Sequence, residues 1–298
     1  MKALAISYKG MEDITALEIK ELIGKKASVK ESCCVFECSK KELAKYCYLC
    51  QGANRVLILL EDFKIDNISD LKKIDGIDFS KWLKDGRTFA ARSEIVDNEL
   101  EDYDVQKTTG DKIDAKVDLD NPDITVFVYI YSDDCYVGVD FSGDTSKRDY
   151  KIKLTRDDLK GTIAYALVRL SGFEKGKSFL NLNAKTGTIA IESALFGSRK
   201  SVNFYNKQKF PFLKFIDIGL EQWDKEAQDV KVYAYDSPGY LDVVRKNAVV
   251  AGVDVKLEKI EADCVVRYKR KKAEIKDLKK EREIKHGKEV LKVENFID

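Results

Sequence analysis

The chain has 298 residues, 44% hydrophobic and 35% charged, which is long for one core and favours two or three domains. Lys+Arg 53 against Asp+Glu 52 leaves a net charge of +1, so no global field draws it to nucleic acid and any basic footprint has to be local. No apolar run has the length of a membrane span, Met1 leads into strand-like sequence rather than a signal, and seven unevenly spread cysteines do not form a disulfide framework; the expectation is a cytoplasmic protein with no membrane contact.

Residues 2–8 read as a strand and 10–23 as a helix, with Ile14, Leu17, Ile19, Leu22 and Ile23 as its apolar positions. Residues 27–38 alternate as a strand or hairpin, 41–50 form a second helix and 55–60 a further strand. This β-α-β-β-α-β rhythm predicts a small ferredoxin-like domain. Five of the cysteines lie here. Cys47-x-x-Cys50 with Cys34 and Cys38 offers a zinc set, but the second pair has strand spacing rather than knuckle spacing; buried reduced thiols are the alternative, and no metal is expected.

Residues 65–85 look helical and then looped, anchored by Leu71, Ile74, Phe79, Trp82 and Leu83. A strand at 87–93 carries a basic residue near each end. An acidic loop follows at 94–103, then a short helix at 105–113, a turn at Asn121-Pro122-Asp123, and antiparallel strands at 124–131 and 136–141. Beyond a helix at 159–172, Phe179-Leu-Asn-Leu-Asn-Ala-Lys-Thr-Gly-Thr188 reads as a buried strand, a tight turn at Gly187 and the start of a helix. Strand–glycine turn–helix is the opening half of a nucleotide-binding βαβ unit. A βα unit that binds nothing is the competing reading. Residues 230–236 form a strand ending in an acid, 240–252 a helix and 253–260 a further strand. Asp236 stands where a ribose hydroxyl is held in doubly wound folds, and Asp263 is a candidate adenine contact; ordinary turn acids are the alternative for both.

Thr88-Phe-Ala-Ala-Arg-Ser93, Asp104-Val-Gln-Lys107, Gly110-Asp111, Leu119-Asp-Asn-Pro-Asp123, Tyr136-Val-Gly-Val-Asp140 and Lys147-Arg148-Asp-Tyr150 together resemble a THUMP domain, an RNA-binding module of tRNA-modifying enzymes. Leu159 to Gly172 is similar to the linker helix of the class ordered ferredoxin-like, THUMP, then Rossmann-type methyltransferase. The resemblance is to the THUMP-domain tRNA guanine-N2 methyltransferases. It implies an α+β N-terminal half followed by an incomplete α/β Rossmann-like domain, divided as 1–63, 64–153, a linker at 154–172, and 173–298. It implies S-adenosylmethionine at Gly187, Thr188, Asp236 and Asp263. It also implies tRNA or another structured RNA as partner, with Arg92, Lys107, Lys112, Lys147, Arg148 and Lys151 on phosphate. Acids at Glu94, Asp97, Glu99, Glu101, Asp102 and Asp104 adjoin that surface.

The chain departs from the family twice. Asn181 replaces the acid that opens the cofactor motif and Lys185 replaces a turn glycine, bringing an ammonium toward a sulfonium. The Asn/Asp-Pro-Pro-aromatic motif that seats the target base is absent, since Pro122, Pro211 and Pro238 are all isolated. The fourth strand is expected as a remnant at 289–297, the sheet as a half-sheet covered by self-association or a partner chain, and the basic stretch 267–285 as a charged helix with a solvated face, a flexible insert or an RNA contact. The resulting expectation is an RNA-binding protein whose own catalysis has decayed. Its alternatives are an active methyltransferase, alone or completed by a second chain, and a scaffold with neither ligand.

Overall fold

The computed structural model describes residues 1–155 and 158–296. The first unit runs β1 (Lys2–Ile6), α1 (Glu12–Ile23), β2 (Ala27–Lys30), β3 (Cys33–Glu37), α2 (Lys40–Leu49) and β4 (Arg55–Lys64). Local chemistry sets the helix ends. α1 stops at Gly24, whose φ of 70° disfavours a Cβ. α2 starts at Ser39 through a capping box, with Glu42 N donating to Ser39 Oγ and Ser39 N to the Glu42 carboxylate.

The chain continues through 3₁₀ turns at Ile68–Gly76 and Lys84–Gly86 to β5 (Phe89–Val96), α3 (Asp102–Gly110), β6 (Ile124–Tyr131) and β7 (Asp134–Asp140). All seven strands form one sheet, β2-β3-β1-β4-β7-β6-β5. β4 belongs to both units: Leu57 pairs with Leu4 of β1 on one side and Asp140 of β7 on the other. β5 outruns its expected end at Ser93 because it pairs in parallel with β6 along its whole length, from Phe89↔Ile124 to Val96↔Tyr131.

The second sheet takes β8 (Ser178–Leu182), β9 (Lys231–Tyr235), β10 (Cys264–Lys269), β11 (Lys272–Ile275), β12 (Arg282–His286) and β13 (Glu289–Asn295), ordered β12-β13-β11-β10-β8-β9. α4 (Gly161–Leu170), α5 (Thr188–Ser198) and α6 (Pro238–Ala251) accompany it. β9, β8 and β10 are parallel; β11 turns back antiparallel on β10. Three expectations are corrected here. Residues 253–260 are not a strand: Val253, Val255 and Leu257 do pack on the core, but only Lys256 pairs with β9. The place beside β8 expected for the fourth strand is taken by β10, not by a remnant at 289–297, where β13 lies two strands further out and Ile297 falls outside the described residues. Residues 267–285 are neither helix nor insert, because Tyr268, Ala273, Ile275 and Ile284 alternate inward while the cations point out.

The second sheet is therefore extended by the chain's own strands β11, β13 and β12 rather than left as an open half. Its β12 end leans on the first unit: Lys285 N donates to Lys9 O at 2.9 Å and Arg282 pairs with Asp13 at 2.8 Å. A Cβ on Gly10, already at φ 90°, would collide with the Glu283 carbonyl oxygen. Between α5 and β9 an arm crosses the other way. Phe210, Phe212 and Leu220 enter the first sheet's core, and Phe212 stacks on Phe141 with centroids 4.6 Å apart.

Both halves meet at one buried polar knot. Arg148 Nε donates to Glu192 Oε1 at 2.7 Å and its Nη2 to Gln51 O at 2.7 Å, with the two ionic side chains 1% and 0% exposed. Gln51 Nε2 donates to Glu192 Oε2 and Tyr150 OH to Glu192 Oε1, both at 2.7 Å. Glu18 of α1 accepts the Gln51 and Gly52 N–H groups at 2.8 and 3.1 Å. Burial pushes the Glu18 carboxyl up to about 7, against 4.5 for an ordinary glutamate, although those two N–H donors pull it down.

Breaking the pair by Arg148→Met strands a buried carboxylate and is expected to cost about 3–5 kcal/mol, with Arg148→Met/Glu192→Met regaining part of it in urea denaturation. The folded state holds a proton on Glu18 that the unfolded chain has released. Stability contributed by this group is thus full below pH 4.5 and is lost as pH rises to about 7. Glu18→Gln should flatten that fall, worth roughly 3 kcal/mol, in denaturation midpoints taken across the window.

Candidate functional site

The βα turn that follows β8 is the structural centre of the second unit. Asn183, Lys185 and Gly187 all take left-handed φ values, of 54°, 54° and 80°. Asparagine tolerates that region; lysine does so at a cost of order 1 kcal/mol, and glycine does so freely. At Gly187 a second constraint acts, because a Cβ would sit 2.7 Å from Val244 of α6. The glycine is thus required by helix packing, whatever the turn binds.

The turn's polar groups are engaged by the chain itself. Asp236, just past β9, accepts from Lys185 N at 2.9 Å through one oxygen and from Ser237 N at 2.7 Å through the other. The Lys185 ammonium lies 4.3 Å from the centre of the Tyr240 ring at the start of α6. Thr186 and Thr188 share a hydrogen bond, and both hydroxyls face Asp158, at 2.7 and 3.4 Å. Lys151 forms an ion pair with that same Asp158. Asn181 is fully buried; its amide donates to Leu182 O and Val266 O, while its Oδ1 has no partner. Gly187 and Thr188 thus lie at this turn, and Asp236 joins it through its hydrogen bond from Lys185 N.

Asp263 stands apart from them. Its carboxylate accepts from Ser178 N and Oγ at 2.7 and 2.6 Å. Ser178 is the first residue of β8, so Asp263 caps the opposite end of the strands, about 13 Å from the turn, and cannot reach an adenine seated there. Two phosphate candidates are corrected as well. Arg148 is enclosed in the interdomain knot, and Lys151 is spent on Asp158 and the Leu159 carbonyl with its side chain 13% exposed. Arg92 donates to the Ala91 and Leu119 carbonyls, Lys107 pairs with Asp111 at 3.3 Å, and Lys112 with Asp75 at 2.6 Å. Lys147 is 81% exposed, with Asp144 only at 3.6 Å.

All seven cysteines are buried free thiols, and burial pushes Cys33 and Cys34 up to about 12. Among the described residues no group of three or more His, Cys, Asp or Glu side chains is placed to hold a metal ion, and no helix is long and apolar enough to cross a membrane. Two open grooves, of about 480 and 460 Å³, flank the aromatic arm near Arg87, Lys214 and Pro122 rather than the turn.

Sequence reasoning did not single out Asp158 or the β10–β11 hairpin. The hairpin was legible in outline, since Val265-Val266-Arg267-Tyr268 and Ala273-Glu274-Ile275 are two short apolar alternations around a cationic turn. At Asp158 the two hydroxyls it accepts from lie 28 and 30 residues away in sequence, beyond any local pattern.

A seven-stranded mixed sheet is thus joined to a six-stranded, helix-flanked sheet with parallel strands. A THUMP-domain family profile matches residues 67–140, and one for the RMKL-like methyltransferase domain matches 148–275. A tRNA (guanine(6)-N2)-methyltransferase of Methanocaldococcus jannaschii is 32% identical over 86% of this chain and 73% of its own length. The Archaeoglobus fulgidus enzyme of that name is 26% identical over 86% and 68%. The crystal structure of SMU.472 complexed with SAH shares the fold, with a TM-score of 0.77 at 18% identity over 100% of this chain and 98% of its own. The chain belongs to the family of THUMP-domain tRNA (guanine-N2)-methyltransferases.

Gly187→Ala is expected to lower the thermal midpoint through the Val244 clash and the left-handed φ together. Adding Val244→Ala should relieve only the first part, leaving the double variant above the single one in a melting curve.

Proposed function

We propose that this chain binds tRNA, or another structured RNA, through its THUMP-bearing half and transfers no methyl group by itself. One observation carries the second part. β10 lies next to β8, in parallel, as the fourth strand of a methyltransferase sheet does. It ends not in a base-seating Asn/Asp-Pro-Pro-aromatic segment but in a two-residue turn, Arg270-Lys271, that folds straight back into β11. Base methylation needs the exocyclic nitrogen held in line with the donor, with the base out of its stack. No residue of that hairpin supplies the clamp.

The turn after β8 supports the same reading. S-adenosylmethionine does not fit it well: Asp236 already accepts two backbone N–H groups, and Lys185 places a cation beside the turn where the ligand's sulfonium would lie. One observation favours a second reading, in which the ligand is bound without transfer. The buried Asn181 Oδ1 has no partner, and an acceptor left so costs about 1–3 kcal/mol unless something fills the need. Titration calorimetry with S-adenosylmethionine separates the two: no heat is expected, and saturable heat abolished by Asp236→Ala establishes the second reading.

Purified protein incubated with labelled S-adenosylmethionine and tRNA transcripts should leave the RNA unlabelled while retarding it in a mobility-shift gel. Lys147→Ala should weaken that shift for all transcripts alike and lower the salt slope by about one. Methyl transfer by the isolated chain overturns the proposal.

A further inference from the structure

We infer that Tyr205 is a base-stacking residue, a platform on which one unpaired nucleobase of the RNA rests where the two units meet; this rests on the RNA-binding reading above. Tyr205 belongs to the arm between α5 and β9, and 68% of its surface is exposed. A lone exposed tyrosine means little. This one is fixed in advance. Its hydroxyl accepts from Lys200 Nζ at 2.9 Å, and the same ammonium donates to the Gly252 carbonyl at 2.8 Å. Phe204 meets the ring at close to a right angle, with centroids 5.0 Å apart. Gly252, at φ 64°, leaves room for this arrangement, since a Cβ there would collide with the Tyr205 hydroxyl oxygen and with Lys200 Nζ. A side chain settled before binding gives up little freedom on contact, which is what an exposed platform requires.

Position supports the same conclusion. Tyr205 lines a cleft of about 50 Å³ with Asp149 and Tyr150, which follow the first sheet, and with Val250 of α6. Asn206 Nδ2 donates to Asp149 at 3.1 Å, and that carboxylate has Lys209 at 3.7 Å on its other side. Lys147 stands two residues before Asp149, with its side chain 81% exposed. The seam thus carries a phosphate candidate from the first unit and an aromatic face from the second.

The chemistry selects an unpaired base over a protein surface. A protein interface centres on apolar anchors with charged residues depleted, whereas Lys200, Asn206 and Asp149 adjoin this ring. Every base has a π face, so the contact tolerates any sequence. It draws on the ring rather than on a spare charge, and so adds nothing to a salt slope that counts cations placed on phosphates.

The test separates ring from charge. In mobility shifts with tRNA transcripts across a salt series, Tyr205→Ala should weaken binding by about tenfold while its log–log salt slope stays unchanged. Tyr205→Leu keeps bulk without a π face and should fall as far, whereas Tyr205→Phe should bind like the unsubstituted protein. Lys147→Ala, by contrast, lowers the slope. All three Tyr205 variants should melt close to the unsubstituted protein, because the side chain lies largely outside the core. No shift by the unsubstituted protein overturns the RNA-binding reading itself. A normal shift with unchanged affinity in Tyr205→Ala or Tyr205→Leu overturns the platform alone, as does a fall that comes with a smaller salt slope or that Tyr205→Phe reproduces in full.

Discussion

The molecule depends on a guanidinium and a carboxylate that have left water together. Arg148 follows the first sheet, Glu192 lies on α5 of the second unit, and the Gln51 loop between α2 and β4 touches both. Neither charge could be buried alone, because the desolvation cost is several kcal/mol per ion. Each can be buried here because every strong donor has found an oxygen. The knot thus specifies one relative placement of the two halves, and few other placements satisfy the same groups. Glu18 extends the constraint to α1, holding the Gln51–Gly52 backbone from the far side.

The sequence announced elements whose signals are local. The strand at Ile124–Tyr131, the hairpin of β2 and β3, and the strand–turn–helix around Gly187 follow from apolar spacing and from one glycine. Charge misled the reading in two places. Lysines and glutamates at 267–285 suggested solvated or helical chain, yet strands carry such residues on their outer face while Tyr268, Ala273 and Ile275 face inward. Arg148 sat in a run of basic residues and looked exposed; only its distant partner Glu192 explains why it is not. Asp263 failed for another reason. One strand was expected to end before it, whereas it precedes the next, which reverses the end of the sheet it occupies.

The turn after β8 satisfies its polar groups within the chain. The hydrogen bonds of Asp236, Thr186 and Thr188 close the loop on itself and on Asp158. Gly187 is required both by its left-handed φ and by its close approach to Val244. The presence of such residues therefore says little about the ligand, since packing and internal hydrogen bonding suffice to explain them.

β4 gives the first half an indivisible character. A ten-residue strand bonded to β1 on one flank and to β7 on the other is the common rail of both modules. Excising either module would leave the survivor with a raw ladder of unpaired amides, an invitation to sticky edge-to-edge stacking. Recombination during evolution would thus be expected to shuttle residues from Met1 to Tyr150 as one cassette, and mechanical load applied at β5 would travel through that rail to α1 and α2 rather than dissipate in a hinge.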